Sequence, residues 1–234
     1  MNTPVNAGSS TSPSLPTASK PVDFVTALER LQAGNRRFVE DVRSIASLGT
    51  SAQRAALASA QSPFAAILSC ADSRVPSEMV FDQGLGDLFV VRVAGNVVAP
   101  SLVGSIEYAV EAFGVQLVVV MGHTSCGAVK ATLDYLERAS VGSENVLDIV
   151  ERIRPAVASL VATSSDRRTL LSAATRANVR ASVTQLRSVS PMLEERIAAG
   201  KLLVVGAEYS LETGVVDMFE GVPEDLRAAR RDGN

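Results

Sequence analysis

The sequence predicts an α/β fold: a mainly parallel central sheet with an antiparallel edge strand, flanked by helices and preceded by an N-terminal helical arm. Three observations predict it. Short continuous apolar runs, such as Phe64 to Ser69 and Gln116 to Met121, have the length and composition of strands buried on both faces. Helical patterns separate these runs, as the crossovers between parallel strands require. The segment Leu211-Glu212-Thr213-Gly214 reads as a hairpin turn before Val215 to Phe219, which supplies the antiparallel edge.

Residues 1–22 are rich in Ser, Thr, Pro, Ala and Asn and have little to bury, so they are expected to form a disordered leader. They lack the basic start and apolar core of a signal peptide, and the absence of Arg argues against an organelle transit sequence. Phe24, Leu28 and Leu31 then recur at helical spacing behind Asp23, a suitable cap. Gly34-Asn35 is expected to end or bend that helix, with Phe38 and Val39 continuing its apolar face. A second helix from Ser51 to about Ser59 completes the arm.

In the body, strands at Phe64 to Ser69, Leu88 to Val93, Gln116 to Met121 and Leu202 to Gly206 alternate with helices near residues 76–81, 102–113 and 126–139. Long helices follow near 144–162 and 169–198, the latter broken at Ser190-Pro191. One folded domain is expected over residues 23–222, with a polar tail over 223–234.

Composition narrows the function. A chain of 234 residues, 47% of them hydrophobic, can bury an adequate single core, though without Trp that core rests on Val, Leu, Ile and Ala. A net charge of −3 and a pI of about 5.3 exclude a large positive field, so neither nucleic acid nor an anionic membrane is an expected partner. The pairs Arg167-Arg168 and Arg230-Arg231 read as solvated surface. No apolar stretch approaches the ~20 residues that span a bilayer, and the default location is the cytoplasm.

The chain has two Cys and one His. Taken singly, a His in a glycine-flanked loop is an ordinary structural residue, and a Cys an ordinary small hydrophobe. Their placement argues otherwise. All three fall in two segments, Ser69-Cys70-Ala71-Asp72-Ser73-Arg74-Val75-Pro76 and Gly122-His123-Thr124-Ser125-Cys126-Gly127, and each segment leaves a predicted strand at its carboxyl end. In open parallel sheets functional groups collect at that edge, so the two segments can converge. Two Cys and one His supply soft and borderline donors, and three protein ligands leave a fourth zinc position open. Cys126 is expected near a helix N-terminus, where backbone amides favour its thiolate.

Asp72 and Arg74 follow Cys70 at alternate positions, so in an extended stretch all three point the same way. A carboxylate beside a zinc site can bind the metal or accept a proton from water on it. An adjacent guanidinium can hold it off the metal through paired hydrogen bonds.

The Cys-Ala-Asp-Ser-Arg and Gly-His-Thr-Ser-Cys-Gly segments resemble the two signatures of the beta-class carbonic anhydrases. The similarity continues through Phe81-Asp82-Gln83-Gly84, Asp87 to Arg92, Ala94-Gly95-Asn96 and Gly104 to Ala109, and covers roughly residues 23 to 220. The resemblance implies one zinc ion per chain on Cys70, His123 and Cys126, with Asp72 and Arg74 as the orienting dyad. Asp72 is then also a fourth ligand in a closed state. Gln61, Phe89, Tyr108 and Gly127 match positions lining the family's substrate pocket, some of them supplied by a neighbouring subunit, which implies a homodimer or dimer of dimers. Arg92 and Tyr209 match two positions of a second bicarbonate site, but Ile67 stands where that site has Trp. With Gln61, this points to the open form of the zinc site.

The expected reaction is reversible hydration of carbon dioxide to bicarbonate and a proton by metal-bound hydroxide. Phe89 and Ala94 suit a small pocket for an apolar linear substrate, and Gln61 suits an oxygen of the forming bicarbonate. Two rivals share the residues: a carbonyl sulfide or carbon disulfide hydrolase, and a non-catalytic zinc or bicarbonate-binding module. A Rossmann-like nucleotide binder is set aside, because no Gly-x-Gly-x-x-Gly fingerprint follows the first strand.

Overall fold

The computed structural model describes residues 21–42, 44, 49–138, 142–162, 166–224 and 226. Almost all of the expected leader and tail, with the Arg230-Arg231 pair, lies outside the described residues.

Helix α1 spans Phe24–Val39 and starts where the sequence places it. Asp23 caps it, accepting from the Thr26 N–H at 3.0 Å. Gly34-Asn35 was expected to end or bend this helix, but α1 runs through it. Both residues serve tertiary contacts instead. A Cβ on Gly34 would lie 1.8 Å from the Phe81 carbonyl oxygen. Asn35 donates to the carbonyls of Val80 at 3.1 Å and Gly214 at 2.9 Å, and accepts from the Val216 N–H at 2.9 Å. One buried side chain thereby ties the arm to the sheet. Asn35→Ala leaves these backbone groups unpaired and should cost about 3 kcal/mol, read as a lower urea midpoint at unchanged slope. A shift worth under ~1 kcal/mol would contradict that role.

Helix α2, Ser51–Leu57, opens on a capping box between Thr50 and Gln53. The remaining elements follow in order: β1 Ala65–Ser69, α3 Ser77–Val80, β2 Leu88–Arg92, α4 Pro100–Phe113, β3 Leu117–His123, α5 Gly127–Arg138, α6 Glu144–Val157, α7 Arg167–Val189, α8 Pro191–Ala198, β4 Leu203–Tyr209 and β5 Val216–Glu220. Ser190 separates α7 from α8 and accepts from the Leu193 N–H at 3.3 Å, with Pro191 at the first helical position.

Among the described residues the strands form one sheet in the order β2-β1-β3-β4-β5. The pairings of β1 with β2 and β3, and of β3 with β4, are parallel, while β5 runs antiparallel to β4. Strands β3 and β4 reach further than their sequence patterns predict, ending at His123 and Tyr209. Gly206, expected to close β4, and Gly122 lie within strands because α7 comes close there. A Cβ at Gly122 would stand 2.6 Å from Val179, and one at Gly206 2.8 Å from the same side chain.

One face of the sheet packs Val119 and Met121 against Leu28 and Leu31 of α1 and against Phe81. The other packs Val118 and Val120 against Ile106 of α4, Val179 of α7 and Leu193 of α8. A third cluster of α5, α6 and α7 side chains, including Val129, Ile153 and Ala174, surrounds Cys70 and Cys126 at the carboxyl ends of β1 and β3. The sheet edge where the two motifs emerge is therefore covered by its own apolar layer. Among the described residues no helix is long and apolar enough to cross a membrane.

Candidate metal centre

Cys70 follows the last residue of β1, and His123 is the last residue of β3. The adjacent parallel pairing of these strands, Ser69 opposite Met121, brings the two residues to one edge. After His123 the Thr124 N–H bonds to the Tyr209 carbonyl at 3.0 Å, and Ser125 takes a positive φ of 57°. That turn sets Cys126 at the start of α5, its carbonyl accepting from the Lys130 N–H at 3.0 Å.

The sulfurs of Cys70 and Cys126 and the His123 ring offer ligand atoms that lie within 4.8 Å of one another, and all three residues are buried. The two sulfurs are 4.0 Å apart, and both cysteines are free. Two sulfurs on a tetrahedral zinc at about 2.3 Å each would be about 3.8 Å apart. His123 Nδ1 lies 2.9 Å from the Thr124 carbonyl oxygen, which can only accept, so Nδ1 carries the proton and Nε2 the lone pair. Nε2 is buried without a hydrogen-bond partner.

Electrostatics lead to the same place. Cys70 is favoured as the thiolate, first by the Cys126 thiol, with the Gly95 N–H adding to it against the cost of burial. Cys126 is pushed up by Cys70 and by burial, although the Ala128 and Val129 N–H groups at the start of α5 favour its thiolate. Two buried sulfurs this close cannot both be ionised without a cation between them. An orphaned imidazole nitrogen and a thiol pair short of one positive charge fit a divalent zinc ion.

Asp72 and Arg74 sit at the rim. The stretch is a turn, not extended backbone: the Val75 N–H bonds to the Asp72 carbonyl at 3.0 Å, and Asp72 Oδ1 accepts from the Arg74 N–H at 3.0 Å. An aspartate that can close a local turn does so in preference to extended backbone. The turn still pairs the dyad, with Arg74 Nε 2.9 Å from Oδ1 and Nη2 2.7 Å from Oδ2. These bonds hold the Asp72 carboxyl well below the usual carboxylate range. Asp72 Oδ2 lies 3.9 Å from His123 Nε2. Arg92 braces the loop from beneath, donating to the carbonyls of Cys70 at 3.2 Å and Asp72 at 2.6 Å. Tyr209 is buried with its ring 6.4 Å from that of Phe38, and Ile67 is a core residue.

The other sequence-predicted residues divide. Ala94 adjoins Gly95, whose N–H is 3.3 Å from Cys70 Sγ, and Gly127 is exposed beside Cys126. Gln61 is exposed in the loop before β1. Phe89 stands opposite Ala66, four strand positions before Cys70, or about 13 Å along the strand. Its ring is 6.2 Å from that of Tyr108 and 6.0 Å from that of Phe113. Phe89 and Tyr108 thus share an aromatic cluster away from this chain's own sulfurs. Sequence reasoning missed Thr124, Gly95 as an N–H donor, and Asn178, which donates to the Gly95 carbonyl at 2.8 Å. The available signal was the spacing of Thr175, Asn178 and Ser182, a polar stripe on the buried face of α7.

A family model described as carbonic anhydrase matches residues 65–216. A carbonic anhydrase of Mycolicibacterium smegmatis is 44% identical over 194 residues, covering 83% of this chain and 92% of that protein. Carbonic anhydrase 2 of Mycobacterium tuberculosis is 43% identical over 190 residues, covering 81% and 90%. Among solved structures, a tetrameric beta-carbonic anhydrase of Sordaria macrospora aligns with a TM-score of 0.62 at 26% identity, covering 70% of this chain and 84% of that one.

Proposed function

This chain belongs to the beta-class carbonic anhydrase family, and on that premise we propose that it hydrates carbon dioxide with one zinc ion per chain held by Cys70, His123 and Cys126. The observation that carries the metal reading is the buried His123 Nε2, without a partner, facing two sulfurs that cannot both ionise alone. When bound, the ion supplies the Lewis acidity that brings the pKa of a water molecule down toward neutrality. A reducing compartment such as the cytoplasm keeps both thiols available to the metal. The catalytic unit is assigned to residues 23–222.

The protein's own groups do the rest. Asp72 Oδ2 accepts the O–H of the reacting water and fixes the direction of its lone pair. Arg74 holds both Asp72 oxygens, a pairing that would compete with any bond from the carboxylate to a bound ion and so supports the open form of the site. With its carboxyl held so low, Asp72 orients but does not store the released proton. Ala94 and Gly127, with small or absent side chains, leave room for a linear substrate at the mouth. Gln61, Phe89 and Tyr108 line a pocket only if a second subunit brings them to the site. That requirement, with the tetrameric Sordaria macrospora relative, supports a homodimer or dimer of dimers.

Metal analysis of the purified protein paired with a stopped-flow carbon dioxide hydration assay tests the reading. About one zinc per chain with hydration is expected, and a metal-free active protein would overturn it. Rates on carbon disulfide, measured in parallel, are expected to be far lower.

The composition adds a prediction. The single His is assigned to the metal, so no histidine remains to carry the proton outward. Turnover should rise several-fold as external buffer is raised from roughly 5 to 50 mM at constant ionic strength. Rates that stay flat across that range would contradict the assignment.

A further inference from the structure

The loop between β2 and α4 carries two consecutive residues with positive φ, Gly95 at 71° and Asn96 at 45°. They aim the Gly95 N–H at Cys70 Sγ, 3.3 Å away. The Gly95 carbonyl, on the other side of the same Cα, accepts from Asn178 Nδ2 at 2.8 Å. Asn178 lies mid-way along α7 and is only 2% exposed. Burying a carboxamide is costly unless it is bonded, and this one bonds the loop that touches a metal-site sulfur. Gly95 has the greatest backbone freedom of any residue type. A second restraint on its carbonyl therefore decides where its N–H points. A Cβ there would meet Ile153 at 2.7 Å and Ala128 at 3.0 Å, so no bulkier residue can supply that rigidity.

We propose that Asn178 is a positioning residue for the metal centre, keeping the Gly95 N–H on the Cys70 sulfur and so weakening that thiolate's electron donation to the ion. The proposal rests on the zinc reading above. Two thiolates cancel the double charge of zinc, leaving a weaker Lewis acid than three neutral imidazoles would. A hydrogen bond donated to sulfur draws electron density off it and restores part of the ion's pull. Asn178 reaches the ion through two hydrogen bonds and touches no reacting atom.

The test compares Asn178→Leu and Asn178→Ala with Thr175→Val in the zinc-loaded protein. Leucine keeps roughly the volume of asparagine and alanine removes it, and neither can donate. Thr175 is equally buried on α7, but its hydroxyl bonds the Leu171 carbonyl of its own helix at 2.9 Å, so its loss controls for general loosening. Both Asn178 variants should keep about one zinc per chain but turn over carbon dioxide roughly 10-fold more slowly, because a more strongly donating Cys70 thiolate leaves the ion a weaker Lewis acid. Their cobalt-substituted forms should show the sulfur-to-cobalt charge-transfer band at lower energy, with Thr175→Val at the wild-type position. Wild-type turnover and an unshifted band in both Asn178 variants would overturn the proposal.

Should neither variant fold, the wild-type protein loaded with cadmium-113 carries the test. Scalar coupling between the metal and the Gly95 amide proton is expected, and its absence counts against the proposal. A wild-type chain that takes up no zinc sinks the metal reading instead, so the two failures are distinguishable.

Discussion

Cys70→Ser is expected to empty the metal centre and abolish carbon dioxide hydration together: less than about a tenth of a zinc ion per chain, and kcat/KM down by at least about 10³-fold. A serine hydroxyl is nearly the size of the thiol but does not ionise near neutral pH, and its oxygen is a harder donor than sulfur. Cys126 and His123 would remain as a two-ligand site with a vacancy on the side of the Cys70 loop. The Gly95 N–H and the Cys126 thiol, both now directed at Cys70, can still bond the serine oxygen, so the site keeps its hydrogen bonds while losing its metal donor. His123→Ala should give the same pair of losses by another route, removing the Nε2 that faces the sulfurs. Because serine is nearly isosteric with cysteine and its buried hydroxyl finds the Gly95 N–H as a partner, the variant should melt close to zinc-stripped wild type, which separates metal loss from unfolding. A folded Cys70→Ser protein with one zinc per chain and wild-type turnover would refute the ligand assignment.

What the sequence shows of this site follows from how local its signals are. Cys70 and His123 are legible because each sits where a continuous apolar run stops, and runs such as Leu117 to Val120 read as strands buried on both faces. Asp23 is legible as a cap and Ser190-Pro191 as a helix break because each signal needs only its own neighbours. What stays hidden depends on residues far along the chain. Gly122 and Gly206 look like breaks but are strand positions into which Val179 packs. Gly34-Asn35 looks like a helix end but is a contact with the Phe81 carbonyl and β5. The 72–75 turn is hidden for a subtler reason: alternation of Cys70, Asp72 and Arg74 fits an extended strand as well as a turn, and the Asp72 carboxylate decides between them. Phe89 and Tyr108 carry the same lesson at larger scale, since a motif match assigns a position to a pocket without saying whose pocket it is.

Asp72→Asn should separate metal binding from turnover. Zinc content is expected to stay at about one per chain, because none of the three donor atoms is altered, while kcat falls roughly 10²- to 10³-fold. Asparagine keeps the shape and one carbonyl oxygen, so an Asx turn onto the Arg74 N–H can survive. The second oxygen becomes an NH2 group facing Arg74 Nη2, two donors where a donor met an acceptor, and the guanidinium loses half of its grip. The reacting water then meets a donor instead of an anionic acceptor and loses its fixed orientation. In the wild type, Arg74 holds the Asp72 carboxyl so low that it stays ionised from about pH 6 to 9. The deficit of the variant should therefore be the same at both ends of that range, whereas a residue that carried the proton would give a deficit that changes with pH. KM should move less than kcat, because Asp72 acts on the water and not on the apolar substrate. Loss of zinc alongside turnover would instead make Asp72 a fourth ligand in the resting enzyme, and wild-type turnover would remove it from the chemistry altogether.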